Sequence, residues 1–246
     1  VVKPRRVSWS VIGSALVWVS NCGHGSPDCP ALQTGGAALM PAVSLSRVAE
    51  RVWRLVGSQE CPVRRICVFC GSKAGEDPEY AEVAGMLGRV LADRGIGLVY
   101  GGGGIGLMGV IADSVLESGG EVIGVIPEGL DVREVMHQGV TDMRVVPDMH
   151  CRKAQMHELS DAYIAMPGGV GTFEELFEVL AWRQLRLHAK PIGVLDVRDF
   201  FGPFVATIER SVSEGFLSGG CRRSMFVRET DPARLLESLL QLIEAD

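Results

Sequence analysis

Positive charge is in short supply. The 246 residues carry 24 Lys and Arg against 30 Asp and Glu, a net charge of −6. A general nucleic-acid binder presents a basic face, so that class is set aside. Binding one small phosphate ester stays open, because it needs only a local site. Neither Gly-Lys-Ser nor Gly-Lys-Thr occurs, which excludes a P-loop. Lysine is scarce as well: Lys3, Lys73, Lys153 and Lys190 have no setting that suggests a Schiff base, so PLP-dependent chemistry is set aside. Long apolar runs are missing, and the stretch Val11–Val19 is too short to span a bilayer as a helix. The seven cysteines are odd in number and irregular in spacing. They read as reduced thiols of a cytosolic chain rather than a disulfide framework. Cys67-Val-Phe-Cys70 has redox spacing, but it closes an apolar run that reads as strand. No second pair supplies zinc spacing, so no metal is expected.

What remains is globular. Hydrophobic residues make up 47% and charged residues 22%, enough for a real core. The first sixty residues differ from the rest. They hold six Lys/Arg and three Asp/Glu, net +3, which leaves −9 for residues 61–246. Their start, VVKPRRVSWSVIGSALVWVSNCG, has the basic and apolar order of a secretory signal. A disordered extension and a misplaced start are the other readings, and these two are preferred. Residues 1–60 are thus expected to be a poorly structured extension, with one short amphipathic helix over 46–57. Residues 61–246 form the domain, and a protein starting near Met40 or Cys61 is expected to keep its activity.

From Arg65 onward strands alternate with helices. RICVFCG, IGLVY, EVIGVIP, TDMRVVP, DAYIAMP and PIGVLDV are short apolar runs, with a further strand near 225–229. Between them lie helical segments of ten or more residues, such as DPEYAEVAGMLGRVLADRG with Asp77 and Pro78 at its start and Gly95 at its end. A helix near 201–214 and a capped helix from Asp231 complete the set. This pattern predicts a single α/β domain, Rossmann-like, with a doubly wound, mostly parallel sheet. Ligands of such a sheet bind at the carboxyl ends of the strands, at a topological switch point.

Three elements fall on that edge. Tyr100-Gly-Gly-Gly-Gly-Ile-Gly-Leu-Met-Gly109 follows a strand and opens a helix, which suits an anion held by backbone N–H groups. Pro167-Gly-Gly-Val-Gly-Thr-Phe-Glu-Glu175 does the same. There Thr172 is a good N-cap with Glu175 three residues on, a capping-box spacing. That box accounts for neither the three glycines nor the second acid. His150-Cys-Arg-Lys153 heads a helix, and Arg152 is a fork for a phosphate or a purine edge.

PGGVGTFEE (167–175), GGGGIGLMG (101–109), MHCRK (149–153) and CVFCGS (67–72) together resemble the Lonely Guy family of cytokinin riboside 5′-monophosphate phosphoribohydrolases, long mislabelled as lysine decarboxylases. The resemblance spans about residues 64–245, and the segment GLDVREVMHQGVTDMRVVPD (129–148) departs from the plant pattern. It implies a cytoplasmic homodimer or higher homo-oligomer without cofactor that hydrolyses the N-glycosidic bond of N6-modified adenosine 5′-monophosphates or AMP. It implies Arg152 and Glu175 as catalytic residues. Binding positions carried over are Glu134, Lys153, Gly168, Gly169, Val170, Gly171, Thr172 and Glu174; Ser72 and the loop glycines Gly102, Gly103 and Gly104 are further binding candidates on the same edge. Neither nucleic acid nor membrane is an expected partner. The competing reading is a nucleotide or cofactor carrier without catalysis, which has no need of paired acids beside Arg152.

Overall fold

A computed structural model describes residues 10–12, 15–17, 65–130, 136–218 and 225–245. Near the N-terminus two three-residue strands, β1 (Ser10–Ile12) and β2 (Ala15–Val17), pair antiparallel with Ser10 opposite Val17. The helix expected over 46–57 lies outside the described residues.

The second unit is built on a seven-stranded sheet. Its elements run β3 (Arg65–Phe69), α1 (Glu79–Asp93), β4 (Gly97–Tyr100), α2 (Gly106–Glu117), β5 (Val122–Pro127), β6 (Asp142–Val146), α3 (Met149–Glu158), β7 (Ala162–Ala165), α4 (Val170–Gln184), β8 (Ile192–Leu195), α5 (Gly202–Ser213), β9 (Val227–Glu229) and α6 (Pro232–Ala245). The sheet order is β6-β5-β4-β3-β7-β8-β9, and every pairing is parallel. Strands such as VIGVIP are buried along their whole length, as a sheet covered on both faces requires. The helices form at the stops and starts the sequence marks. Asp148 Oδ1 accepts from the Cys151 N–H at 2.7 Å and caps α3, and Asp231 Oδ1 accepts from the Arg234 N–H at 2.8 Å at the start of α6.

Alternation along β3 splits the core in two. Ile66, Val68 and Cys70 face a cluster built with α1, α2 and α6. Cys67 and Phe69 face another, built with α4 and α5. The redox spacing of Cys67 and Cys70 therefore brings nothing together, because the two thiols point into opposite cores. Burial pushes both thiols up, away from the reactive thiolate.

The chain leaves β3 outward as far as β6, then returns to place β7 on the other side of β3. That reversal is the switch point, with the turns after β3 and β7 at its mouth. The two turns touch: the Gly71 N–H donates to the Pro167 carbonyl at 3.1 Å.

One boundary differs from expectation in a way that matters. α4 starts at Val170, three residues before the expected Phe173. Gly169 takes the N-cap position in extended backbone, and the Phe173 N–H closes the first turn on the Gly169 carbonyl at 3.2 Å. Thr172 is the third residue of the helix and is buried, not an N-cap, so Glu175 is not the far half of a capping box. Glycine is a poor helix former but a tolerated N-cap, and packing around β7 decides where the helix begins.

Candidate active site

Arg152 and Glu175 come from different helices and meet. Arg152 sits in the first turn of α3 and reaches back across the sheet edge. Its Nε donates to the Val125 carbonyl of β5 at 3.0 Å, and its Nη1 donates to Glu175 Oε1 at 2.9 Å. A Cβ at Gly101 would stand 2.2 Å from Arg152 Nη2, so the arm lies directly over the end of β4 and a side chain there would push it aside. Arg152 is 9% and Glu175 8% exposed, the only charged pair of the described residues so deeply enclosed together. Burial pushes the Glu175 carboxyl above the ordinary glutamate value. The Arg152 charge opposes this, and neighbouring Glu174 adds to it. The carboxyl thus sits where proton exchange is nearer to hand than on an exposed glutamate.

The pair borders a cleft of about 250 Å³. One side is the start of α4, Gly169 to Thr172, with no side chain capping its N–H groups. The first N–H groups of a helix have no partner inside it, and they carry the positive end of its dipole. The opposite side is apolar: Met108, Ile126, Pro127, Leu130 and Met149. These five were not read from the sequence. Their signal was present but indirect, since Ile126 and Pro127 end β5 on the ligand edge.

Other expected positions divide. Ser72 and Gly169 line the cleft, together with Val170, Gly171 and Thr172. Gly168 lies beside it, its Cα close to the Gly71 backbone. Lys153 and Glu174 are not on the cleft wall. Neighbours in a helix point about 100° apart, so they leave the cleft as Arg152 and Glu175 enter it. Lys153 Nζ instead lies 2.5 Å from Glu174 Oε1 and 2.9 Å from Glu178 Oε1, a strap between α3 and α4. Gly102 to Gly104 are also turned away. The Gly102 carbonyl accepts from the His137 N–H at 3.1 Å, and Gly103 bridges Met136. The helix they open has spent its donors: the Leu107 and Met108 N–H groups both point at the Gly71 carbonyl, at 3.1 and 3.3 Å. Gly101, not one of the expected three, is the member of that loop at the cleft. Glu134 lies outside the described residues.

The model of the family described as "Possible lysine decarboxylase" matches residues 108–239. The chain is 50% identical over 167 residues to the cytokinin riboside 5′-monophosphate phosphoribohydrolase LOG of Oryza sativa subsp. japonica, covering 68% of this chain and 69% of that one. The chain belongs to the LOG family. The cytokinin riboside 5′-monophosphate phosphoribohydrolase LOG1 of Arabidopsis thaliana is 50% identical over 163 residues, 66% of this chain and 76% of its own. Among solved structures, a molybdenum cofactor binding protein from Rippkaea orientalis covers 75% of this LOG-family chain and 99% of its own, with a TM-score of 0.58 and 20% identity. The molybdenum cofactor carrier protein of Chlamydomonas reinhardtii gives a TM-score of 0.57 at 22% identity, over 74% of this chain and 99% of its own. At that identity the likeness is one of fold.

Proposed function

We propose that this enzyme hydrolyses the N-glycosidic bond of cytokinin riboside 5′-monophosphates, and of AMP, releasing the free base and ribose 5-phosphate. The observation that carries the reading is the buried Arg152–Glu175 pair, set just inside the uncapped start of α4. The 5′-phosphate sits on the N–H groups of Val170, Gly171 and Thr172. Breaking the ribosyl bond builds positive charge on the sugar and negative charge on the departing base. Glu175 lies where a carboxylate can face C1′, stabilise that cation and take a proton from the attacking water. Arg152 offers a fixed guanidinium to the charge leaving on the base. Both poles lie within one nucleotide's length, and the apolar wall of Met108, Ile126, Leu130 and Met149 receives the base and its N6 substituent. Lys153 and Glu174 hold α3 to α4, and so keep the two catalytic side chains in register. In this reading the protein works in the cytoplasm as a homodimer or higher homo-oligomer.

Decarboxylation of lysine, the activity in the family model's description, finds no support, since no lysine of the described residues lines the cleft beside Arg152 and Glu175. A Schiff-base lysine must lose its proton. Lys153 stands between two carboxylates whose hydrogen bonds outweigh its burial and keep it charged. Lys190 donates to the His157 carbonyl at 2.5 Å, just before β8, at the end of the strands away from the cleft. Among the described residues no helix is long and apolar enough to cross a membrane.

The test is product analysis by chromatography after incubation with AMP and with isopentenyl-AMP. Free base and ribose 5-phosphate in equal amounts are expected from both. Intact nucleotide after prolonged incubation with either would leave a nucleotide-binding carrier as the reading.

A further inference from the structure

A second cavity, of about 350 Å³, opens at the switch point beside the first. This is within the size range of small-molecule sites, about 300–1,000 Å³. Its walls are the rings of Tyr80 and Phe200, with Lys73, Leu107, Pro167 and the glycine backbone of the turns after β3 and β7. Ser72 and Gly169 border both cavities, so the two adjoin at the start of α4. Arg152 and Glu175 line only the first.

That division decides what the second cavity can hold. The bond to be cut must lie by Glu175, and the base lies with it. The phosphate lies at the α4 N-terminus, on the border. Whatever fills the second cavity therefore hangs from the phosphate, on the side away from the base.

The cavity wall is also built with effort. Phe200 follows two consecutive residues in left-handed backbone, Arg198 at φ 58° and Asp199 at φ 56°. Non-glycine residues adopt that conformation only when their surroundings hold them there. Here Arg198 Nη1 is 3.1 Å from Asp77 Oδ2 and 3.3 Å from Glu79 Oε2, while Arg228 binds Asp196 and Asp199. The result is a Phe200 ring set edge-on to Tyr80, centroids 6.2 Å apart, facing a space that the Arg152–Glu175 chemistry does not use.

We propose that this cavity is a subsite for a planar ring esterified to the substrate's phosphate. The enzyme then binds adenosine 5′-phosphodiesters with a second ring, the class to which dinucleotides belong, as well as monophosphates. The proposal rests on the glycosidase reading for the direction of the nucleotide. Aromatic faces and edges attract a flat ring beyond the effect of burial alone. A single-ring ester keeps the phosphate on the α4 N–H groups and reaches Tyr80 and Phe200 past Gly169.

The test compares adenosine 5′-(phenyl phosphate) with adenosine 5′-(methyl phosphate), which has the same charge and no ring. Binding is measured by calorimetry on the Glu175→Gln protein, so that turnover does not interfere. The phenyl ester should bind about tenfold tighter than the methyl ester, in keeping with one aromatic contact. Phe200→Leu, which keeps the apolar packing against Phe173 and Phe201, should bring the ratio close to one. Tyr80→Leu serves if Phe200→Leu does not fold. Equal affinities, a ratio unmoved by the substitution, or no binding of either ester overturns the subsite. The two readings fail separately. Cleavage of AMP with equal ester affinities sinks only the subsite, whereas a phenyl preference without AMP cleavage sinks only the hydrolase.

Discussion

Two glycine loops leave the same edge of the sheet, and they need glycine for opposite reasons. In the loop after β4 the protein itself crowds the backbone. A Cβ at Gly101 would stand 2.2 Å from Arg152 Nη2, and one at Gly106 would stand 2.3 Å from the Ser72 carbonyl, at φ 62°. In the loop after β7 the reverse holds at its outer positions. A Cβ at Gly169 or Gly171 would meet nothing within 4 Å. The helix donors follow the same division: those of α2 are taken up by the Gly71 carbonyl, while those of α4 face the cleft without a side-chain cap. A glycine run before a helix is therefore not by itself an anion site. What stands against the glycine tells whether the fold or a ligand requires it.

The comparison is broken most severely at the acid inside the open loop's helix. Glu175→Gln keeps the size and a hydrogen-bond acceptor for Arg152 but removes the charge. It should lower kcat by about 100-fold or more, the scale of a lost general base. The melting temperature should fall less than in Arg152→Ala, since Gln still accepts the Arg152 Nη1 hydrogen bond although the guanidinium loses its counter-charge. Near-normal turnover in a folded Glu175→Gln protein would show that the site's chemistry lies elsewhere. Arg152→Ala should lose activity on a similar scale, but with a larger loss of stability, because it strands the Glu175 charge.

Next come the two crowded glycines, which separate function from folding within one loop. Gly101→Ala pushes the Arg152 guanidinium off its place. A misplacement of that size is able to cost up to about 100-fold in rate. Gly106→Ala forces a side chain into left-handed backbone against the β3 turn. It should destabilise by about 2 kcal/mol or more, which lowers the melting temperature by roughly 4–8 °C for a chain of this size. Thermal melts and steady-state rates measured together decide the matter. A Gly101→Ala protein with full activity would mean that Arg152 need not cross β4.

Much of this arrangement was legible in the sequence, and the limits were physical. Alternating apolar runs and helical spacings gave the strands and helices from Arg65 on, because burial on both faces leaves a strong pattern. The contact of Arg152 with Glu175 followed from two motifs that a parallel sheet sends to one edge. Adjacent residues were harder. Arg152 and Lys153, like Glu174 and Glu175, differ by one step of a helix, and that step of about 100° sends one into the cleft and the other to a strap on its rim. The start of α4 was also out of reach, since Gly-Val-Gly reads as loop until packing makes it the first turn. The fate of Gly102 to Gly104 depended on where Gly71 ends up, a contact made across some thirty residues of chain.

The raised Glu175 carboxyl gives a prediction about pH. Burial is its main cause and the Glu174 charge a lesser one. If ionised Glu175 is the working form, activity rises as the carboxyl loses its proton. The acid limb of kcat against pH should then lie above the ordinary glutamate value of about 4.3. Glu174→Gln removes a neighbouring negative charge, which makes ionisation easier, so the limb should move to lower pH. The shift should shrink in high salt, because Glu174 is half exposed and its field is screened. A limb that stays put in Glu174→Gln at low ionic strength would detach the profile from Glu175.

The smallest effect is the one that tests the contrast between the loops most directly. Gly171 lies in the first turn of α4, and a Cβ there meets only open space. Alanine is the better helix former by up to about 1 kcal/mol, so Gly171→Ala should raise the melting temperature by roughly 2–4 °C. The same methyl group would stand at the mouth of the cleft, where a phosphate must come close to the Val170 and Thr172 N–H groups. KM for AMP should therefore rise several-fold while kcat holds, since binding is hindered and the Arg152–Glu175 pair is not. A protein that is both more stable and weaker in binding would mean that this glycine is kept for the ligand. Unchanged KM with higher stability would place the phosphate away from the helix, and with it the open loop would lose the property that sets it apart from its neighbour.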